Sequence, residues 1–172
     1  MGYTLTVSHQ DSRDSVNTTV HEHVTNAINL TRDENYATAI DIFENHLSSL
    51  VGGDLSDKRA ASAAFSYYGL CVAMVRRRYA EAVKYCNISL KANFLDPDHR
   101  YNLALVYLER NDRKKAVETL NAGLRVAPAN TRINVVFDSI GRRNPPPLAF
   151  LPRDNPLNIW LGKLRGASKQ PS

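Results

Sequence analysis

Three alanines frame this chain of 172 residues: Ala39, Ala82 and Ala116. Each lies at the start of a helix-like run, "YATAIDIFENHL", "YAEAVKYCNISL" and "KKAVETLNAGLRV". Before each run comes a short polar break, "TRDEN", "RRR" or "ND", and before that an apolar segment holding one small residue, Ala27, Gly69 or Ala104. Within each pair the small residues are 12, 13 and 12 positions apart, and the extra residue of the middle pair is assigned to its turn. Ala82 and Ala116 are 34 apart; Ala39 and Ala82 are 43 apart, the surplus being a loop over "VGGDLSDKR", Val51 to Arg59. Apolar residues recur with helical spacing, as in Leu103, Val106 and Tyr107, then Ala116, Val117, Leu120, Gly123 and Leu124, and strand-type alternation is almost lacking. The pattern predicts an all-α chain built from three helix–turn–helix hairpins. Small residues let paired helices approach closely, and aromatic residues fill the space beside them. Each hairpin keeps an apolar face that it cannot bury alone, so neighbours must stack.

A 34-residue helical hairpin with these anchors resembles the tetratricopeptide repeat (TPR) family. The third unit, 97–130, matches best: Leu103-Ala104, Tyr107, Ala116, Leu120 and Pro128 occupy the pattern's places, while Arg100 stands where the family has its first tryptophan. The second unit, 62–96, keeps Phe65, Gly69, Tyr79, Ala82 and Cys86; the first, 20–50, keeps Ala27, Tyr36, Ala39 and Phe43. The resemblance implies a right-handed helical-hairpin solenoid over residues 20–130, preceded by a polar segment, 1–19. After Pro128, Asn130 or Thr131 can cap a further helix over 131–141 with Ile133, Val136, Phe137 and Ile140 inward. That helix is expected to close the array, with Arg132, Asn134, Asp138 and Ser139 on a polar outer face.

The same resemblance implies a concave surface made mainly by the first helix of each hairpin. Its places fall on Asp98, Tyr101, Asn102, Leu105, Leu108 and Glu109 in the third unit, on residues including Tyr67, Leu70 and Met74 in the second, and on residues including Ile28, Thr31 and Arg32 in the first. Family members that hold a carboxylate use Lys, Arg and Asn there. Here Asn102 stands alone beside Tyr67, Leu70, Met74, Tyr101, Leu105 and Leu108. The groove these residues would form suits an extended or helical apolar segment, with Asn102 fixing register. For each of them the same spacing also fits a place in the packed core.

Chemistry is hard to find elsewhere. His21-Glu22-His23 holds metal-ligand types, but i and i+2 diverge on a helix and no second cluster supports them. No nucleophile–base pair, phosphate loop or paired-carboxylate signature occurs, so neither catalysis, a metal nor a cofactor is expected. Cys71 and Cys86 fall in helical segments without ligand spacing and read as small buried hydrophobes. Arg76-Arg77-Arg78 reads as a solvated turn. No apolar stretch reaches membrane-spanning length, and Met1 to Asn17 lacks an apolar signal core; a cytoplasmic protein is expected.

The net charge of +5 belongs to the C-terminal region. From Gly141 onward there are six basic residues and one acidic one, against 16 of each before it, and six of the eight prolines lie there too. Within this tail, 142–172, three prolines after Asn144 form a stiff spacer. Leu148, Phe150 and Leu151 follow as an apolar patch. Asp154 or Asn155 can then cap a short helix with Pro156 at its first position and with Leu157, Trp160, Leu161 and Leu164 on one face. A helix of about ten residues is marginal alone in water, so that face needs a surface: the chain's own groove or capping helix, a sister copy in an exchanged homodimer, or a partner such as another protein or an anionic membrane. Nucleic acid is the weakest of these, since no aromatic–basic stacking pattern extends beyond Trp160. The expected function is a non-catalytic protein-interaction module, an adaptor, scaffold or co-chaperone-like subunit that binds a protein or peptide. The alternatives are a self-assembling structural subunit and attachment to membrane or nucleic acid through the basic tail.

Overall fold

The computed structural model describes residues 8–52, 58–140, 155–157 and 159–161. Over these the chain is helical, with no strand: α1 (Ser8–Arg32), α2 (Tyr36–Gly52), α3 (Lys58–Arg76), α4 (Tyr79–Ala92), α5 (Pro97–Glu109), α6 (Arg113–Val126) and α7 (Thr131–Ser139). The chain divides into two compact units, 1–136 and 137–172.

In the first unit consecutive helices pair: α1 with α2, α3 with α4, α5 with α6. The pairs are joined through α3, which packs on α1, α2 and α5, and through α4 against α5. The small residues picked out by the spacing sit where helices meet. Ala27, Ala39, Ala82, Ala104 and Ala116 are fully buried. At Gly69 a Cβ would stand 2.9 Å from the Ala82 carbonyl oxygen on α4, so the close approach of α3 and α4 requires glycine. At Gly123 a Cβ would meet Ile133 Cδ1 at 2.7 Å, bringing α6 against the start of α7. Val24, Ile40, Phe43, Tyr68, Cys71, Val72, Cys86 and Val106 belong to one buried cluster running from α1 to α5, and Phe43 and Tyr85 flank Tyr68 edge-on.

Local chemistry explains the helix ends. Asp96 accepts from the Asp98 amide at 2.9 Å with Pro97 next in line, and starts α5. Asp112 accepts from the Lys115 amide and starts α6. Of the two candidate caps before α7, Asn130 takes the role, accepting from the Ile133 amide at 3.0 Å. Glu34, Arg77 and Asn111 have φ of 61°, 54° and 63°, one left-handed residue closing each hairpin turn.

Two expectations are corrected, and one segment gains a structure that its composition left open. The extra residue of the middle hairpin is not in its turn: only Arg77 and Arg78 separate α3 from α4, and α3 absorbs it by running on to Arg76. That placement puts Arg76 in α3 with Nη2 2.6 Å from Glu44 on α2, and Arg78 Nε lies 2.8 Å from Glu81, so two members of the basic run are paired. The polar segment at 1–19 is helical from Ser8; no Pro or Gly lies between Ser8 and Arg32, and α1 propagates outward from its packed half. The loop at 51–59 narrows, because α2 continues to Gly52 and α3 begins at Lys58.

In the second unit, Asn155 opens a helical turn. Its side chain accepts from the Leu157 amide and its carbonyl from the Ile159 amide, with Pro156 in the first position. Leu157, Ile159 and Trp160 are exposed there, Trp160 to 59%, and Leu161 is half-buried. Leu148, Phe150, Leu151 and Leu164 lie outside the described residues.

Candidate functional site

The odd-numbered helices converge on one carboxylate. Asp98, in the first turn of α5, faces Arg32 at the end of α1, Tyr67 in the middle of α3 and Arg132 in the first turn of α7. The Tyr67 hydroxyl donates to Asp98 Oδ2 at 2.7 Å. Arg32 Nη2 lies 3.2 Å from the same oxygen, and Arg132 Nη1 lies 3.2 Å from Oδ1. The hydroxyl in turn accepts from Arg32 Nε at 3.0 Å and from Arg132 Nη1 at 3.4 Å. The Arg132 guanidinium also stacks 4.1 Å over the Tyr101 ring.

This node is built to stay charged. Burial by itself would raise the Asp98 carboxyl, but the Tyr67 hydroxyl, Arg132 and Arg32 outweigh it and hold the group below the ordinary carboxylate value. Burial first, and then the bond to Asp98, raise Tyr67, which keeps its proton and remains a donor. Arg132 sits at a helix N-terminus, where the dipole disfavours a cation, and Asp98 offsets that cost. Two guanidiniums share one carboxylate, so the node keeps one positive charge in excess. Their side chains are 48% exposed for Arg32 and 37% for Arg132, leaving N–H donors open to an incoming acceptor.

The seven predicted groove residues separate into two groups. Tyr101, Leu105 and Leu108 are half-buried and share the Asp98 side of α5 by helical spacing; Met74 on α3 is half-buried as well. Tyr67 lies beneath, with its ring buried and its hydroxyl in the node. Leu70 and Asn102 are interior residues. Asn102 therefore does not offer its amide to a ligand: Nδ2 donates to Ser66 Oγ at 3.1 Å, inside the α3–α5 contact. Beside it His99 Nε2 pairs with Ser62 Oγ at 3.2 Å, and burial lowers its pKa. The spacing of Ser62 with Ser66 and of His99 with Asn102 carried that signal, two polar pairs one helical turn apart. Arg132, expected on the outer face of the closing helix, turns to Asp98 instead because the carboxylate lies within its reach.

His23 Nδ1 lies 2.9 Å from His46 Nε2 on α2, so the potential ligand faces another histidine; no group of three or more His, Cys, Asp or Glu suited to a metal ion occurs among the described residues. Burial pushes the Cys71 thiol up to about 11 and the Cys86 thiol to about 12, so neither is a thiolate nucleophile at neutral pH. Among the described residues no helix is long and apolar enough to cross a membrane. Compared with protein-family models and with curated proteins, the sequence matches none.

Proposed function

We propose that the chain is a non-catalytic protein-interaction module of the TPR type, its hairpins stacked as a right-handed solenoid with α1, α3, α5 and α7 along the binding side. The ligand is a peptide or helix with an apolar face and one acidic residue. The Asp98-centred node carries this reading, through its spare positive charge and two half-open guanidiniums beside Tyr101, Leu105 and Leu108. The apolar side chains supply burial and the guanidiniums fix register. Burial of all six aligned small residues supports the repeat assignment. Two buried, unpaired thiols suit a reducing, cytoplasmic setting for an adaptor or co-chaperone-like subunit.

The test is site-specific cross-linking. A photoreactive residue at Leu105 should couple to a partner segment containing Asp or Glu, and the same residue at Lys114 should not. Arg132→Ala should reduce coupling from Leu105 while the circular dichroism spectrum stays unchanged. Equal coupling from both positions, or an Arg132→Ala variant that couples like the parent, removes the binding face.

A second reading has its own observation. Leu157, Ile159 and Trp160 stay exposed on a helical turn, which favours self-assembly through the tail. A chain whose mass in solution doubles, and falls back with Trp160→Ala, supports that reading; a monomer at all concentrations ends it.

A further inference from the structure

Away from the Asp98 node, a cavity of about 480 Å3 opens between α4, α5 and α6. Leu90, Leu103, Ala122 and Val126 give it aliphatic walls, and two guanidiniums, those of Arg100 and Arg125, line it. Arg100 is only 5% exposed. It donates from Nη1 to the Phe94 carbonyl and lies 4.2 Å over the Phe94 ring. Among the described residues no carboxylate pairs with Arg100 or Arg125; Glu118, on the same lining, makes no ion pair with either. A buried cation is costly unless an anion accompanies it. Here the neighbouring charge is another cation: burial first, then repulsion from Arg125, lower the Arg100 guanidinium from its ordinary value. Among the described residues neither guanidinium has a carboxylate as its ion-pair partner, Glu118 included, and the aliphatic walls ask for an apolar body that brings one.

We propose that this cavity binds an aliphatic carboxylate, a free acyl chain whose carboxylate lies between Arg100 and Arg125 and whose methylenes lie along Leu90, Leu103, Ala122 and Val126. The volume falls in the range of about 300–1,000 Å3 typical of small-molecule sites. The walls favour an acyl chain over a peptide. Leu103 and Ala122 lie inside helices, where backbone groups bond within the helix; the Phe94 carbonyl is taken by Arg100, and the Thr119 hydroxyl already donates to the Lys115 carbonyl at 2.7 Å. Peptide amides would find little to pair with and would be buried unsatisfied; an alkyl chain needs no partner. The site is independent of the binding face proposed above.

Titration of the full chain, below the ligand's aggregation threshold, tests this. Dodecanoate should bind one-to-one and shift the methyl resonances of Leu90, Leu103 and Val126. Dodecanol, of equal length but uncharged, should bind about ten-fold more weakly or worse, the loss expected when a charge-assisted bond is missing. A blocked tetrapeptide ending in a leucine carboxylate should not compete. Arg125→Ala, at an exposed position, should weaken dodecanoate about ten-fold at unchanged thermal midpoint, and Ala122→Phe should fill the cavity and abolish binding. Absence of dodecanoate binding, equal affinity for dodecanol, displacement by the peptide, or an Arg125→Ala variant as tight as the parent each overturns the proposal. The last criterion holds even if Ala122→Phe fails to fold.

Discussion

Two arginine environments flank α5 and differ in burial and in the anion they hold. On one side Arg32 and Arg132 share the Asp98 carboxylate and a tyrosine hydroxyl. On the other, Arg100 is more deeply buried and has an aromatic ring and a carbonyl oxygen, but no carboxylate. The first satisfies its polar groups internally and presents what is left over to solvent. The second is incomplete within the described residues. Residue type therefore says little about an arginine's role; the nearby inventory of anions says a great deal.

The largest effect should come from removing the carboxylate that makes the difference. Asp98→Ala leaves two guanidiniums facing each other and a buried tyrosine hydroxyl without its acceptor. It should cost about 2–3 kcal/mol, read as a lower midpoint in urea denaturation at unchanged slope. A loss under about 0.5 kcal/mol would mean the node is ordinary surface charge. Arg100→Leu should do the opposite: an uncompensated cation gives way to an aliphatic group, and stability should rise by about 1 kcal/mol. A large fall would show that Arg100 is satisfied after all and that the two environments are alike.

Acid separates them further. The Asp98 pKa is lowered in the folded chain, so its stabilisation is fully present above the ordinary carboxylate value of about 4 and is lost as pH falls through the lower folded value. The stability gap between the parent chain and Asp98→Asn should therefore close in acid, whereas Arg100→Leu should show no such carboxylate-linked change. His99 and His46 are lowered as well, by burial first. Their contribution is present above about 6.5 and declines below it, so His99→Gln should flatten the upper part of the acid profile. The smallest effect is expected at the rim. Arg32 is half exposed and shares Asp98 with Arg132, so Arg32→Ala should cost about 0.5 kcal/mol, less at high salt. A cost equal to that of Asp98→Ala would make Arg32 the dominant partner of the node.

Much of the helix layout could be read from the sequence because its causes are local. Helical spacing located the pairs, Asn130 was one of two caps offered for α7, and Asn155-Pro156 marked the start of the last helical turn. What stayed hidden was phase and distance. Leu70 and Asn102 share helix faces with half-buried residues, and only the packing of α3 and α5 against other helices places them inside. Asp98 and Arg32 are 66 positions apart in the chain, so no local pattern announces their meeting. Arg100 was visible as a departure from the repeat pattern. The cavity beside it was not, because an unfilled volume belongs to three helices at once.

The α3–α5 contact, with its His99–Ser62 and Asn102–Ser66 pairs, has a further consequence. An all-aliphatic seam would tolerate a slip of one helical turn, or accept the wrong hairpin, with modest loss. Here each buried polar side chain has one partner across the seam, and His99 Nδ1 and Asn102 Oδ1 are already without one among the described residues, so a shift that broke either pair would leave a further buried group unsatisfied. The hairpins are then not interchangeable bricks. Packing α5 on a helix other than α3 would strand His99 and Asn102 against the wrong neighbour, so the choice of partner is encoded in the seam between the two helices.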